Sequence, residues 1–133
     1  MVQTVARKPD YSDLDLDFIA HPTTKDVVRK TGEDAIKRSV RNLILTNHYE
    51  RPFRSHLGSN VRKVLFDNIN PMTATTLINF IKEVIINYEP RVSLTNVDVS
   101  VSIDNNGFDV IISYIILNRS QPVTIKLFLE RIR

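Results

Sequence analysis

The chain has 133 residues, 42% hydrophobic and 25% charged, with a net charge of +3 and a pI near 9.3. This balance fits one globular domain, residues 1–133, with a core of its own, and it argues against a disordered chain or a membrane span of ~20 apolar residues. The absence of cysteine excludes disulfides, thiol catalysis and cysteine metal sites, while the modest positive charge leaves nucleic acid open as a partner without arguing for it.

Residues 1–12 are polar, basic at Arg7 and Lys8 and broken by Pro9. They predict an extended arm without the apolar core of a secretory signal. Asp13 to Phe18 then alternates strictly, which predicts a half-buried strand with Leu14, Leu16 and Phe18 inward and the three aspartates outward. The aspartate spacing fails as a calcium loop, because Phe18 stands where glycine is needed and Thr24 where glutamate is needed. Asp26–Arg29 predicts another short strand. Thr31, with an acid three residues on, predicts a helix cap. Ile36, Val40, Leu43, Ile44 and Asn47 then fall on one face of a helix over about 33–46, with Lys37, Arg38 and Arg41 on its wet side.

Turn formers mark 47–60 as a loop, and Val61 to Phe66 predicts a short helical turn capped by Asn60 or Ser59. Asn68-Ile69-Asn70-Pro71 breaks that turn, and Thr73 is the expected cap of the next helix. Leu77, Ile78, Ile81, Val84, Ile85 and Tyr88 keep a 3.6-residue rhythm there, predicting the central core helix. It ends in Tyr88-Glu89-Pro90-Arg91. Pro90 forces Glu89 out of α geometry. Arg91 suits the negative end of the helix dipole and Glu89 does not, so Glu89 needs a partner, either in a local salt bridge or on another subunit.

Val97, Val99, Val101 and Ile103 alternate with polar residues as a half-buried strand, and Asp104-Asn105-Asn106-Gly107 carries hairpin chemistry. Phe108–Leu117, apolar on both faces beyond Val110, predicts a central strand covered on each side. After a turn at 118–122, Val123, Ile125, Leu127 and Leu129 form the inner face of a third strand. Thr124, Lys126, Phe128, Glu130 and Ile132 point the other way. The predicted fold class is α+β: helices packed on a three-stranded C-terminal antiparallel meander, which short N-terminal strands could extend. The last strand, Val123 to Arg131, would lie at the sheet edge, long and mostly apolar, defended by Lys126, Glu130, Arg131 and Arg133. Either a partner's strand completes that edge or the N-terminal strand covers it, and the sequence leaves both open.

Catalytic patterns are weak. Gly32, Gly58 and Gly107 lie in no phosphate-cradling motif. His21, His48 and His56 lack metal-ligand spacing, and no nucleophile elbow surrounds Ser55 or Ser59. A glycosidase pair could be built from Glu89 with Glu83, Glu50 or an aspartate of 13–17, yet no spacing forces them together. Arg51, Arg54, Arg62 and Lys63 with Tyr49, Phe53 and Phe66 form a basic-aromatic region. It could bind single-stranded nucleic acid, or be a loop anchored by its aromatics.

Three segments together resemble the small baseplate wedge proteins of contractile phage tails, also called sheath initiators, whose relatives occur in type VI secretion baseplates. They are Glu33 to Thr46, Glu50-Arg51-Pro52-Phe53-Arg54 with Leu57-Gly58-Ser59 and Leu65-Phe66, and Glu89-Pro90-Arg91. The resemblance covers roughly residues 24–133 and implies a non-enzymatic virion protein of the tail baseplate, assembled in the host cytoplasm, with no cofactor. It implies that Glu89, Pro90 and Arg91 dock on larger wedge subunits. It further implies that the C-terminal meander, above all Val123, Thr124, Ile125, Lys126, Leu127, Phe128 and Leu129, templates the tail sheath protein by strand addition. Other small wedge subunits are further expected partners, with no membrane and no direct nucleic-acid contact. Related sequences have been labelled lysozyme-like, which would make Glu89 catalytic in a peptidoglycan hydrolase; a nucleic-acid-binding module is the other alternative.

Overall fold

A computed structural model describes residues 11–132, and the chain divides into two compact units after Arg38. The expected arm, apart from Tyr11 and Ser12, and Arg133 lie outside the described residues.

In the first unit, β1 (Ser12–Leu14) pairs antiparallel with β2 (Arg29–Thr31), Ser12 opposite Thr31. The two form a sheet of their own and do not extend the C-terminal meander. The inward face expected there is absent: Leu14, Leu16 and Phe18 are exposed, Asp13 and Asp17 are exposed as expected, and only Asp15 is buried, at 1% exposure. The strand stops at Leu14 because a turn follows, with the Phe18 N–H donating to the Asp15 carbonyl at 3.1 Å and Phe18 at φ 51°. That turn breaks the period of two, so side-chain alternation no longer decides which face is inward. Asp15 is held by the Asp17 N–H at 3.3 Å and by Lys30 Nζ and Arg38 Nη2, each at 3.6 Å. The second predicted strand is likewise displaced, to 29–31, so Thr31 ends a strand directly before the helix. Helix α1 (Gly32–Leu45) starts one residue later, and Gly32 makes the reversal at φ 60°, in a region open to glycine.

The α1 stripe is as expected: Ile36, Val40, Leu43 and Ile44 are buried, joined by Ala35. In the second unit, α2 (Val61–Val64) is a single turn, without a side-chain cap from Asn60. Helix α3 (Pro71–Tyr88) begins two residues before Thr73. Its cap is Asn70, whose Oδ1 accepts from the Thr73 N–H at 2.8 Å, with Pro71 in the first turn where no N–H is needed. Thr73 instead donates its hydroxyl to the Asn68 carbonyl at 2.8 Å.

Leu77, Ile81, Val84 and Ile85 turn one face of α3 into the core, and α3 packs on β3 (Val92–Ser102). β3 starts five residues before Val97, directly after Arg91. It pairs antiparallel with β4 (Gly107–Ile116), and β4 with β5 (Pro122–Glu130), in the order β3-β4-β5. Phe108, Val110, Ile112, Tyr114 and Ile116 are buried on one side of β4. The other side is not covered as expected: Ile111 is 36% exposed and Ser113 and Ile115 are half-buried. In the β3–β4 turn, Asn106 takes the positive φ of 51°. Gly107 is required for space, since a Cβ there would lie 2.6 Å from the Leu129 carbonyl oxygen and from the Phe128 ring.

Candidate docking surfaces

Glu89 sits at the C-terminus of α3, at φ −123° and ψ 80°, the extended backbone that Pro90 imposes on its predecessor. Its N–H still closes the last helical turn on Ile85 at 3.0 Å. The side chain folds inward to 3% exposure and finds the Arg91 backbone N–H and three side-chain donors. Arg91 Nε reaches Oε1 at 2.6 Å, Arg91 Nη2 reaches Oε2 at 2.9 Å, and the Ser39 hydroxyl reaches Oε2 at 2.6 Å. Of the two partners left open by the sequence, the local one is present: a carboxylate unfavourable beside a helix C-terminus is offset by a fork from two residues on. Burial pushes the Glu89 carboxyl up. The hydrogen bonds from Arg91 and Ser39 and the Arg91 charge outweigh that and hold it below the ordinary value. Glu89 therefore stays ionised at neutral pH with both oxygens occupied. Pro90 stands exposed beside it, and the Arg91 side chain keeps 24% exposure.

Ser39 carries no signal beyond being a small polar residue three positions after Ile36, at the margin of an apolar stripe. Its partner is fifty residues away, so only the fold brings it to Glu89.

The second surface is β5. Val123, Leu127 and Leu129 are buried and Ile125 half-buried, while Thr124, Lys126 and Phe128 are exposed, as the alternation predicts. Beyond the strand, the Arg131 N–H donates to the Asn106 carbonyl at 2.9 Å. Asn106 and Arg131 continue the register in which Gly107 faces Glu130 and Phe108 faces Leu129. Hydrogen-bonded pairs alternate along an antiparallel ladder. Leu129, Leu127, Ile125 and Val123 therefore bond to β4, and the backbone N–H and C=O of Glu130, Phe128, Lys126 and Thr124 face away from it. Among the described residues, no strand pairs with that side of β5 or with the far side of β3. The end of β5 is tied down, with the Ile132 N–H on the Leu65 carbonyl at 2.9 Å and Arg131 Nη2 on Asn68 Oδ1 at 3.1 Å.

The other candidates are occupied by structural tasks. Ser59, 4% exposed, donates to the Ile44 carbonyl at 2.6 Å, and His48 Nδ1 lies 3.1 Å from the His56 carbonyl. Glu50 Oε2 accepts from the Asn47 N–H and side-chain amide. The aromatics of the basic region do not anchor its loop: Tyr49 is 82% exposed and Phe53 fully so. Among the described residues, no group of three or more His, Asp or Glu could hold a metal ion, and no helix is long and apolar enough to cross a membrane.

Residues 30–121 match the family model described as baseplate wedge protein gp25. The baseplate wedge protein gp25 of Enterobacteria phage T4 is 33% identical over 113 residues, 85% of each chain. Among solved structures, a candidate tail lysozyme from Geobacter sulfurreducens is 26% identical with a TM-score of 0.65, over 77% of this chain and 96% of that one. A chain of the anti-feeding prophage baseplate shares the fold at a TM-score of 0.64 and 21% identity, over 93% of this chain and 88% of its own.

Proposed function

This chain belongs to the baseplate wedge protein gp25 family, and we propose that it docks on larger wedge subunits through Glu89, Pro90 and Arg91 and starts the sheath by taking a partner's strand along β5. It is a structural component of a contractile-tail baseplate, and so of the virion.

What carries it is the unpaired backbone of Thr124, Lys126, Phe128 and Glu130 on a strand whose own end is anchored. Because β5 is fully paired with β4 and held at Arg131 and Ile132, it accepts a strand more readily than it donates itself. Up to eight new backbone bonds, two from each of four residues, at ~1 kcal/mol net each give at most about 8 kcal/mol before association costs. That is marginal for one contact and adequate when the contact is repeated around a ring. The docking motif adds a preformed surface: the Glu89–Arg91 fork fixes the guanidinium and leaves Pro90 exposed for a larger wedge subunit or another small one. Its position immediately before β3 joins the two surfaces through one continuous piece of chain.

What supports a non-enzymatic role is the state of Glu89. A general acid in glycoside cleavage needs a raised pKa and access to substrate; this carboxyl is lowered, buried and hydrogen-bonded through both oxygens. Wild-type protein releasing peptidoglycan fragments, with Glu89→Gln abolishing release, would overturn that view. Salt-dependent binding of single-stranded nucleic acid, weakened by Arg51→Glu and Arg54→Glu, would favour the nucleic-acid module instead.

The test of templating is Lys126→Pro. It removes an outward N–H without taking a bond from the β4–β5 ladder. Baseplates should assemble with the variant and fail to start sheath; normal sheath growth from them refutes strand addition. For docking, Arg91→Ala should lower incorporation into wedges well beyond Ser39→Ala, which weakens the same carboxylate from the interior. Equal losses would mean that the motif only stabilises the fold.

A further inference from the structure

The 46–60 loop is built in a way that the wedge-docking and sheath surfaces do not explain. Its base is closed on several sides. The Ser59 N–H donates to the Thr46 carbonyl at 2.8 Å, the Tyr49 N–H to the Ser55 carbonyl at 2.8 Å, and the Tyr88 hydroxyl to the His56 carbonyl at 2.7 Å. Gly58, at φ 139°, lets the two ends touch, since a Cβ there would lie 2.7 Å from Asn47 backbone atoms. On this closed base, Tyr49 and Phe53 are held at φ 68° and 65°. Bulky side chains rarely adopt this left-handed region, and such strain collects at functional sites. Neither ring is inserted into the protein to compensate, for both are exposed.

Arg51 and Arg54 flank Phe53, are exposed, and take part in no ion pair among the described residues. The loop's own acid, Glu50, is committed to Asn47. The tip thus presents two exposed aromatic rings on an anchored backbone and two guanidinium groups free of ion pairs among the described residues.

We propose that Tyr49, Arg51, Phe53 and Arg54 form a further docking surface, preformed for an acidic polypeptide segment of a neighbouring baseplate protein. The inference rests on the baseplate role above, but on neither Glu89–Arg91 nor β5. Aromatic and arginine side chains dominate the energetics of protein interfaces, and a partner's carboxylates complement the two cations. An anchored loop backbone lowers the ordering cost of binding. A nucleic-acid strand is the poorer fit, since its sites track several phosphates along a cationic groove, whereas this tip offers two cations around one ring.

The discriminating variant is Phe53→Asn. Asparagine tolerates positive φ, so the loop should keep its shape, and thermal unfolding should occur at or above the parent's temperature. Incorporation into baseplates, measured in particles assembled with the variant in place of the parent, should nevertheless fall about tenfold or more. Arg51→Glu with Arg54→Glu should fall similarly. A benzophenone side chain introduced at Phe53 should cross-link, in assembled particles, to an acidic peptide of a different baseplate protein. Unchanged incorporation of Phe53→Asn overturns the proposal, as does cross-linking to nucleic acid, to a second copy of this chain or to nothing. Arg91→Ala, run in parallel, separates the two readings: loss there with Phe53→Asn unaffected removes only the loop proposal, and the reverse removes only the Glu89–Arg91 docking.

Discussion

Replacing Arg91 with alanine would leave Glu89 as a buried, ionised carboxylate without its guanidinium, held only by the Ser39 hydroxyl and the backbone N–H of residue 91. Two charge-assisted bonds of ~1.5–3 kcal/mol each would suggest a loss of about 3–6 kcal/mol. The truncation also opens a path for water, because the Arg91 side chain is itself a quarter exposed and alanine leaves its place open. Rehydration should bring the cost to about 3 kcal/mol, near the lower end for breaking a buried pair. For a chain of this size that is roughly 10 °C in Tm. Urea unfolding at neutral pH measures it, and Glu89→Gln in the Arg91→Ala background completes a double-mutant cycle. The neutral amide leaves no unpaired charge, so the double variant should recover about 1–2 kcal/mol relative to Arg91→Ala alone. The pH dependence has a fixed sign. A carboxyl held below its ordinary value of 4.5 in the fold contributes fully above that value, and the contribution is lost as pH falls through the lower, folded value. Parent protein should therefore lose stability below about pH 4.5 more steeply than Glu89→Gln, the two curves approaching each other in acid. An Arg91→Ala cost under about 0.5 kcal/mol at pH 7, or a double variant no more stable than the single one, would refute a buried, ionised Glu89 held by this fork.

Asp15→Ala should cost about 1–2 kcal/mol, less than a fully buried pair, because Lys30 and Arg38 keep partial exposure and regain water. Hydrogen exchange over residues 12–31 should quicken, and unchanged protection there would mean that Asp15 does not organise the first unit. Gly58→Ala, at φ 139° with backbone atoms 2.7 Å from the new Cβ, should cost about 3 kcal/mol or more by urea midpoint. A loss below about 1 kcal/mol would show that the loop base can open without penalty. Lys126→Pro should leave thermal unfolding close to the parent's, as its N–H faces away from β4; a large destabilisation would contradict the bonding parity assigned to β5.

The helices and the meander were legible because their signals are periodic and local. Ile36, Val40, Leu43 and Ile44 are buried, and β3, β4 and β5 pair in the expected order. Periodicity misled where a turn cut it short: Asp13 to Phe18 scans as a strand, yet after Leu14 the backbone reverses and Asp15 goes inside. The cap of α3 was misplaced by three residues because Asn70 and Thr73 are both competent, and Pro71 decides for Asn70. At the Glu89 site the acid, the proline and the arginine were visible as a conflict with the helix dipole. The resolving Ser39 was not, since a contact across fifty residues leaves no local trace. In the 47–60 loop the aromatics suggested anchors, whereas Tyr88 and Ser59 do the anchoring and leave the rings outside.

The bonding parity of β5 would also filter any strand that paired beside it. A strand laid along Thr124 to Glu130 would continue both faces of the sheet. Its residues level with Ile125 and Leu127 would sit on the core side and those level with Lys126 and Phe128 on the solvent side. A sequence of matching alternation would fit in one frame only, and sliding by a single residue would turn its oily half outward. Selectivity of this kind needs no particular side-chain lock; hydrophobic rhythm and counting suffice to reject most passing chains.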